Sequence, residues 1–142
     1  MILSGRDLQL YIQTGRLKIS PVRLEQFQQN GFDCILENVK RVNQIFYLAS
    51  TRETIEMPDD LMAFVGIRST WARSGFSLPL TIVDAGFRGN LTLEINRFTD
   101  TLFPIGERFV HLVFAKTSGP CVPYDGIYQD QAGITEAREV RK

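Results

Sequence analysis

Six residues, Arg68-Ser69-Thr70-Trp71-Ala72-Arg73, bring together two guanidinium groups and two hydroxyls. Arginine offers forked donors that match phosphate oxygens, and serine and threonine add single donors. A helix starting near Ser69 would turn its free backbone N–H groups toward the same anion. Arg68, Ser69 and Thr70 are therefore candidate phosphate-binding residues. The plainer reading is a capped surface helix with two solvated arginines.

Two carboxylates follow, ten residues apart. Asp84 ends an apolar segment and opens the glycine-bracketed run Asp84-Ala85-Gly86-Phe87-Arg88-Gly89, which predicts a strand end. Glu94 lies in an alternating pattern, with Leu91, Leu93 and Ile95 against Thr92, Glu94 and Asn96. A carboxylate on that polar face could take a proton from water and deliver it to a base or leaving group. Burial would raise its pKa toward that task. An ordinary solvated strand face fits the same pattern.

His111, the single histidine, falls inside an apolar strand pattern and is read as structural. Trp71 could stack on a base, but packing into a core or interface is the simpler expectation. Tyr124, Tyr128, Gln129 and Gln131 in the polar tail could wrap a ligand; a plain disordered tail is the alternative.

These groups must be carried by a small body. The 142 residues, 44% hydrophobic and 23% charged, suit one domain over residues 1–142. Sixteen basic and sixteen acidic residues cancel, so no global field favours a nucleic acid polymer or an anionic membrane. Any anion site is local. Cys34 and Cys121 form no close pair and read as ordinary thiols of a reducing cytosol. One histidine makes a His/Cys zinc site improbable, and the zinc-deaminase signature is absent. No signal peptide or apolar span is visible, so the chain is expected to be cytoplasmic.

Ser4 is placed to cap a helix, with Asp7 reaching back, Leu8, Tyr11 and Ile12 on one face and Gly15 as the stop. Residues 21–29 read as a turn or short helix. Strands are predicted over 32–36, 45–49, 54–57, 61–67, 82–83, 91–95, 101–104 and 109–115, with 61–67 covered on both faces. A short helix is expected through residues 71–74, capped by Ser69. Short, evenly spaced strands with few helices predict an all-β barrel or sandwich. From about residue 120 the chain reads as a flexible tail, its last ten residues disordered.

The order of these segments resembles the dCTP deaminase and dUTPase superfamily. Met1-Ile2-Leu3-Ser4-Gly5-Arg6-Asp7 resembles its M-I-L-S-D-R-D opening. Gly31-Phe32-Asp33 is similar to S-x-D, with glycine for serine. Residues 68–73 resemble R-S-S-x-A-R, 84–89 resemble D-P-G-F-x-G, and Leu91-Thr92-Leu93-Glu94 resembles I-T-L-E. The tail, residues 124–131, resembles Y-x-G-K-Y-Q-G-Q. The similarity runs in order over nearly the whole chain.

The resemblance implies a distorted jelly-roll-like β-barrel, a homotrimer with active sites between subunits, and a pyrimidine deoxynucleoside triphosphate, dUTP or dCTP, with Mg2+ held through its phosphates. It assigns Arg68, Ser69 and Thr70 to the phosphates or catalytic water and Asp84 to the 3′-hydroxyl and, in hydrolysis, to the water. Glu94 becomes the general acid/base of a metal-independent deamination, helped by Ser69 and Arg73. Tyr124, Tyr128, Gln129 and Gln131 close over the triphosphate. Residues 76–83 are similar to the L-P-P-T-V-V-D-A-G-F form of archaeal-type dUTPases and shorter than the dCTP deaminase segment. Ile127 and Asp130 replace the tail's lysine and second glycine, which works against closure on a triphosphate. The glycine-rich C-terminal motif of ordinary trimeric dUTPases is absent. The leading expectation is a dUTP diphosphatase. A dCTP deaminase or bifunctional enzyme comes second, and a non-catalytic nucleotide-binding trimer third.

Overall fold

The computed structural model describes residues 1–138, so the end of the expected disordered tail, residues 139–142, lies outside the described residues. Helix α1 spans Gly5–Gln13, and the Ser4 hydroxyl accepts the Asp7 N–H at 3.1 Å, as an N-cap should. Leu8 on its inner face is fully buried. The strands are β1 Lys18–Ser20, β2 Phe27–Gln28, β3 Gly31–Arg41, β4 Phe46–Glu56, β5 Leu61–Ile67, β6 Phe76–Ser77, β7 Thr81–Val83, β8 Arg88–Arg97 and β9 Arg108–Lys116. A single 3-10 turn, Leu24–Gln26, precedes β2, and helix α2 covers Ser69–Arg73 between β5 and β6.

The strands form one curled, antiparallel, barrel-like sheet in the order β6-β8-β4-β3-β9-β5-β7; β1 pairs with β4 and β2 with β3. Long strands bend where their register breaks, in β3 at Cys34/Ile35 and Leu36/Asn38, and in β4 between Ser50 and Thr54. The concave side buries Phe32, Leu36, Ile55, Leu93, Ile95, Phe109, Leu112 and Phe114. Each such side chain removed from water contributes about 1.5–3 kcal/mol. Cys34 is buried and Cys121 exposed, both as free thiols.

Several elements differ from expectation. Residues 45–49 and 54–57 belong to one strand, β4, interrupted by its bulge. Residues 101–104 are not a strand: Pro104 has no N–H to donate, and the Thr101 hydroxyl donates to the Ser74 carbonyl at 2.9 Å. β5 is apolar on both faces but covered on one, with Leu61 fully buried and Phe64 37% exposed. β7 and β8 do not pair with each other. β7 lies on β5 and β8 on β4, so the Asp84–Phe87 turn crosses between the two ends of the curled sheet.

Candidate functional site

That crossing makes a cavity of about 380 Å³ between β7, β8, β4 and the C-terminal segment. Asp84 and Glu94 both line it, with Phe46, Leu48, Thr92 and Ile82 around them. Asp84 is exposed, just beyond the last residue of β7. Glu94 sits opposite Leu48 in the β4–β8 register. Leu91, Leu93 and Ile95 point to the core, so Glu94 turns to the cavity side, half-buried as the alternation predicts. Its Oε2 is buried and has no hydrogen-bond partner. Burial raises the Glu94 pKa above the ordinary carboxyl range, and a backbone hydrogen bond lowers it by less. Such a carboxyl holds its proton to higher pH than a solvated one, as a proton-transfer group requires.

The C-terminal segment closes the cavity as a strap. Tyr124, Tyr128, Gln131, Thr135 and Ala137 are in its wall. Tyr124 N donates to the Ala85 carbonyl at 2.8 Å, Asp130 N to Arg88 at 2.8 Å, and Asn90 N to the Gln131 carbonyl at 3.0 Å. Gln129 is outside the lining but fixes the strap: its Nε2 donates to the Gly86 and Tyr124 carbonyls, and its Oε1 accepts from Arg88 N at 2.7 Å. Two glycines make the approach feasible. A Cβ on Gly86 would lie 2.6 Å from Pro123 Cβ, and one on Gly89 2.5 Å from the Gln131 carbonyl oxygen. Asp130 has φ +60, the left-handed region that glycine enters freely and aspartate tolerates. Its carboxylate makes a two-point pair with Arg88, Oδ1 to Nε at 2.8 Å and Oδ2 to Nη2 at 3.0 Å. The substituted anion of the tail motif thus has its own cation.

The arginine–hydroxyl cluster is elsewhere. Arg68, Ser69, Thr70 and Arg73 are not in the cavity wall; Arg68 borders a second hollow of about 210 Å³ with Arg23, Trp71 and Arg108. The expected cap is also displaced. Arg68, not Ser69, is the N-cap of α2, because its N–H still donates to the Phe109 carbonyl at 3.0 Å as a strand residue would. Ser69 and Thr70 stand exposed on the first turn, and Arg73 is exposed at the last helical residue. Trp71 packs between Phe76 and Phe109 and donates its indole N–H to the Arg108 carbonyl at 2.8 Å, a packing role.

Two buried acids escaped notice as site residues. Asp33, 1% exposed, meets His111 Nδ1 through its Oδ1 at 2.8 Å. Its Oδ2 lies 3.1 Å from Arg68 Nε, an ion pair without an aligned hydrogen bond. Glu53, fully buried, accepts the Ile35 N–H at 3.1 Å and the Gln26 amide; burial outweighs these bonds and raises its pKa. The usable signal was a charged residue within a strand pattern, since such a residue must find partners when buried.

Among the described residues no three His, Cys, Asp or Glu side chains gather as a metal site, and no helix is long and apolar enough to cross a membrane. A curled, barrel-like β-sheet that holds Asp84 and Glu94 in one cavity strapped by its own C-terminal segment is a fold with a small-molecule-sized site. Residues 42–117 match the model of the dCTP deaminase-like family. A probable deoxyuridine 5′-triphosphate nucleotidohydrolase of Sulfolobus islandicus rod-shaped virus 1 is 40% identical, over 98% of this chain and 99% of that protein. A dCTP deaminase of Saccharolobus solfataricus is 38% identical, over 95% and 90%. The 2′-deoxycytidine 5′-triphosphate deaminase of Agrobacterium tumefaciens superposes with a TM-score of 0.64 at 19% identity, over 80% of this chain and 47% of that one. The chain belongs to the dCTP deaminase-like family.

Proposed function

We propose that the protein is a dUTP diphosphatase, cleaving dUTP to dUMP and pyrophosphate. The observation that carries this is the joint presence of Asp84, Glu94 and the strap residues Tyr124, Tyr128 and Gln131 around one cavity. The near-complete mutual coverage with a probable deoxyuridine triphosphate nucleotidohydrolase supports the choice of substrate.

In this reading Asp84 accepts a hydrogen bond from the attacking water and holds it in line with the α-phosphorus. The new P–O bond forms as the water gives its proton to Asp84. The α–β bridging P–O bond breaks with its electron pair going to the bridging oxygen, and pyrophosphate leaves. Asp84 then returns the proton to solvent. Glu94 supplies a polar edge toward the base side of the cavity. Arg68, Ser69, Thr70 and Arg73 bind phosphate oxygens and offset the charge that develops there. Because these four lie outside the cavity of their own chain, the reading requires a second copy to bring its α2 to the site. The reading therefore includes intersubunit sites, as in a homotrimer. Asp84 and Glu94 alone do not make a cage, which fits an Mg2+ carried mainly by the substrate's phosphates. Such an ion would neutralise phosphate charge and order the triphosphate.

A second reading, dCTP deamination, is favoured by one specific observation: the orphaned, desolvated Oε2 of Glu94. There Glu94 would shuttle a proton from water to the pyrimidine ring. Chromatographic product analysis with dUTP and dCTP offered separately, plus magnesium and ammonia detection, separates the two. dUMP from dUTP with dCTP untouched supports the diphosphatase. Ammonia from dCTP that disappears in Glu94→Gln overturns it in favour of deamination, and no turnover of either removes both.

A further inference from the structure

We propose that His111 is a positioning residue for α2, acting through Asp33 and Arg68. The inference rests on the reading that α2 serves the substrate phosphates. The β3–β9 register sets Asp33 directly across from His111. Their contact, Nδ1 to Oδ1 at 2.8 Å, occupies one oxygen of a carboxylate that is otherwise sealed from water. The other oxygen is left for cations: Arg68 Nε at 3.1 Å and Arg108 Nη1 at 3.5 Å. A carboxylate between two guanidinium groups only accepts, so Nδ1 carries the hydrogen of this contact. The imidazole therefore fixes the rotation of the carboxylate, and the carboxylate aims at Arg68.

Arg68 translates that aim into backbone. It is the N-cap of α2, so where its side chain is held the helix begins. The same guanidinium donates through Nη1 to the Arg108 carbonyl at 3.3 Å, the oxygen that also receives the Trp71 indole N–H. Ser69, Thr70 and Arg73 follow directly on this anchored turn. On the neighbouring strands, β5 offers Gly66 across from His111, and β2 offers Gln28 beside Gly31. Space for the ring is also provided. A Cβ on Gly31 would collide with the Leu112 carbonyl oxygen and lie 2.8 Å from both Cε1 and Nε2 of His111, so the glycine serves the close backbone approach of β9 as well as the ring.

The test compares His111→Ala, which removes the donor, with His111→Gln, whose amide N–H can reach the same oxygen. Trp71, the single tryptophan, lies on α2, so its indole N–H resonance reports the helix without any substrate. The expected result is a moved indole resonance and a KM for dUTP raised about tenfold in His111→Ala, in the range seen when partners of binding groups are lost, with kcat much less affected. His111→Gln should restore both. An indole resonance and KM like wild type in His111→Ala would overturn the proposal, as would His111→Gln behaving like alanine. If the wild-type protein turned over neither dUTP nor dCTP while the resonance moved as expected, the functional reading would fall and the positioning of α2 by His111 would stand.

Discussion

Replacing Gly89 by alanine should release the strap while leaving the barrel folded. Gly89 has φ +140, a region closed to side-chain-bearing residues at a cost of about 1–3 kcal/mol. Its new methyl would also sit 2.5 Å from the Gln131 carbonyl oxygen and 2.9 Å from Gln131 N. Either β8 or the strap must yield. β8 is pinned along its length by β4, whereas residues 130–133 rest on a few bonds, Asp130 N to Arg88, Asn90 N to Gln131, Gln131 Nε2 to Asn90 and Gly133 N to Asn90 Oδ1. At about 1 kcal/mol each these are the cheaper loss. A penalty of about 3 kcal/mol placed on the docked strap raises its open population roughly a hundredfold. Chymotrypsin cutting at Tyr124 and Tyr128 should accelerate in proportion while cleavage is slow relative to reclosing. Two controls separate strain from collision. A Cβ on Gly133 meets nothing within 4 Å although φ is +59, and one on Gly66 meets nothing in ordinary backbone. Gly133→Ala should loosen the strap by about 1 kcal/mol and Gly66→Ala not at all. Wild-type cleavage rates in Gly89→Ala, or global unfolding instead of strap release, would refute the reasoning.

Glu94→Gln removes a carboxyl whose folded pKa is raised. Such a group adds stability below its unfolded pKa and loses it as pH rises through the folded value. The variant should therefore melt with wild type in acid and above it at about pH 8, and equal melting curves at both would deny the shift. Asp130→Gly keeps the left-handed backbone but removes the pair with Arg88. Its strap should lose less protease protection between low salt and ~1 M salt than the wild-type strap, because the Lys40–Glu136 pair remains while the Arg88–Asp130 pair is gone. A thiol reagent should modify Cys121 alone in the native protein, since burial raises the Cys34 pKa and hides its sulfur. Two thiols reacting at one rate would contradict this.

Much of the fold is written in local pattern. Alternation alone put Leu91, Leu93 and Ile95 inward and Glu94 outward, and Ser4 announced α1. Motif order found Asp84, Glu94 and the strap residues that share a cavity. What pattern missed depends on long-range partners. Residues 101–104 read as a continuation of the sheet, yet a hydroxyl bond to Ser74 and the proline decide otherwise. Asp130 read as a loss of charge balance, because its partner Arg88 is 42 residues away. Asp33 and His111 are 78 residues apart, joined only by the β3–β9 register. The arginine–hydroxyl cluster lies outside the acid cavity of its own chain, a separation that local spacing does not show because it depends on where β5 and β8 sit in the sheet.

The register break in β4 has an arithmetic of its own. From Ser50 to Thr54 the strand advances four residues while β8 moves back two, from Thr92 to Asn90. The surplus is two, an even number, so the odd-numbered residues Tyr47, Ala49, Ile55 and, within the bulge, Thr51 and Glu53 all stay inside. Side-chain alternation has period two, so deleting one residue here would invert the inner and outer faces of half the strand. Deleting two would merely straighten it, at the loss of the Glu53 pocket. Length variation at this point is therefore expected in steps of two, a parity rule for any shortened or lengthened version of the chain.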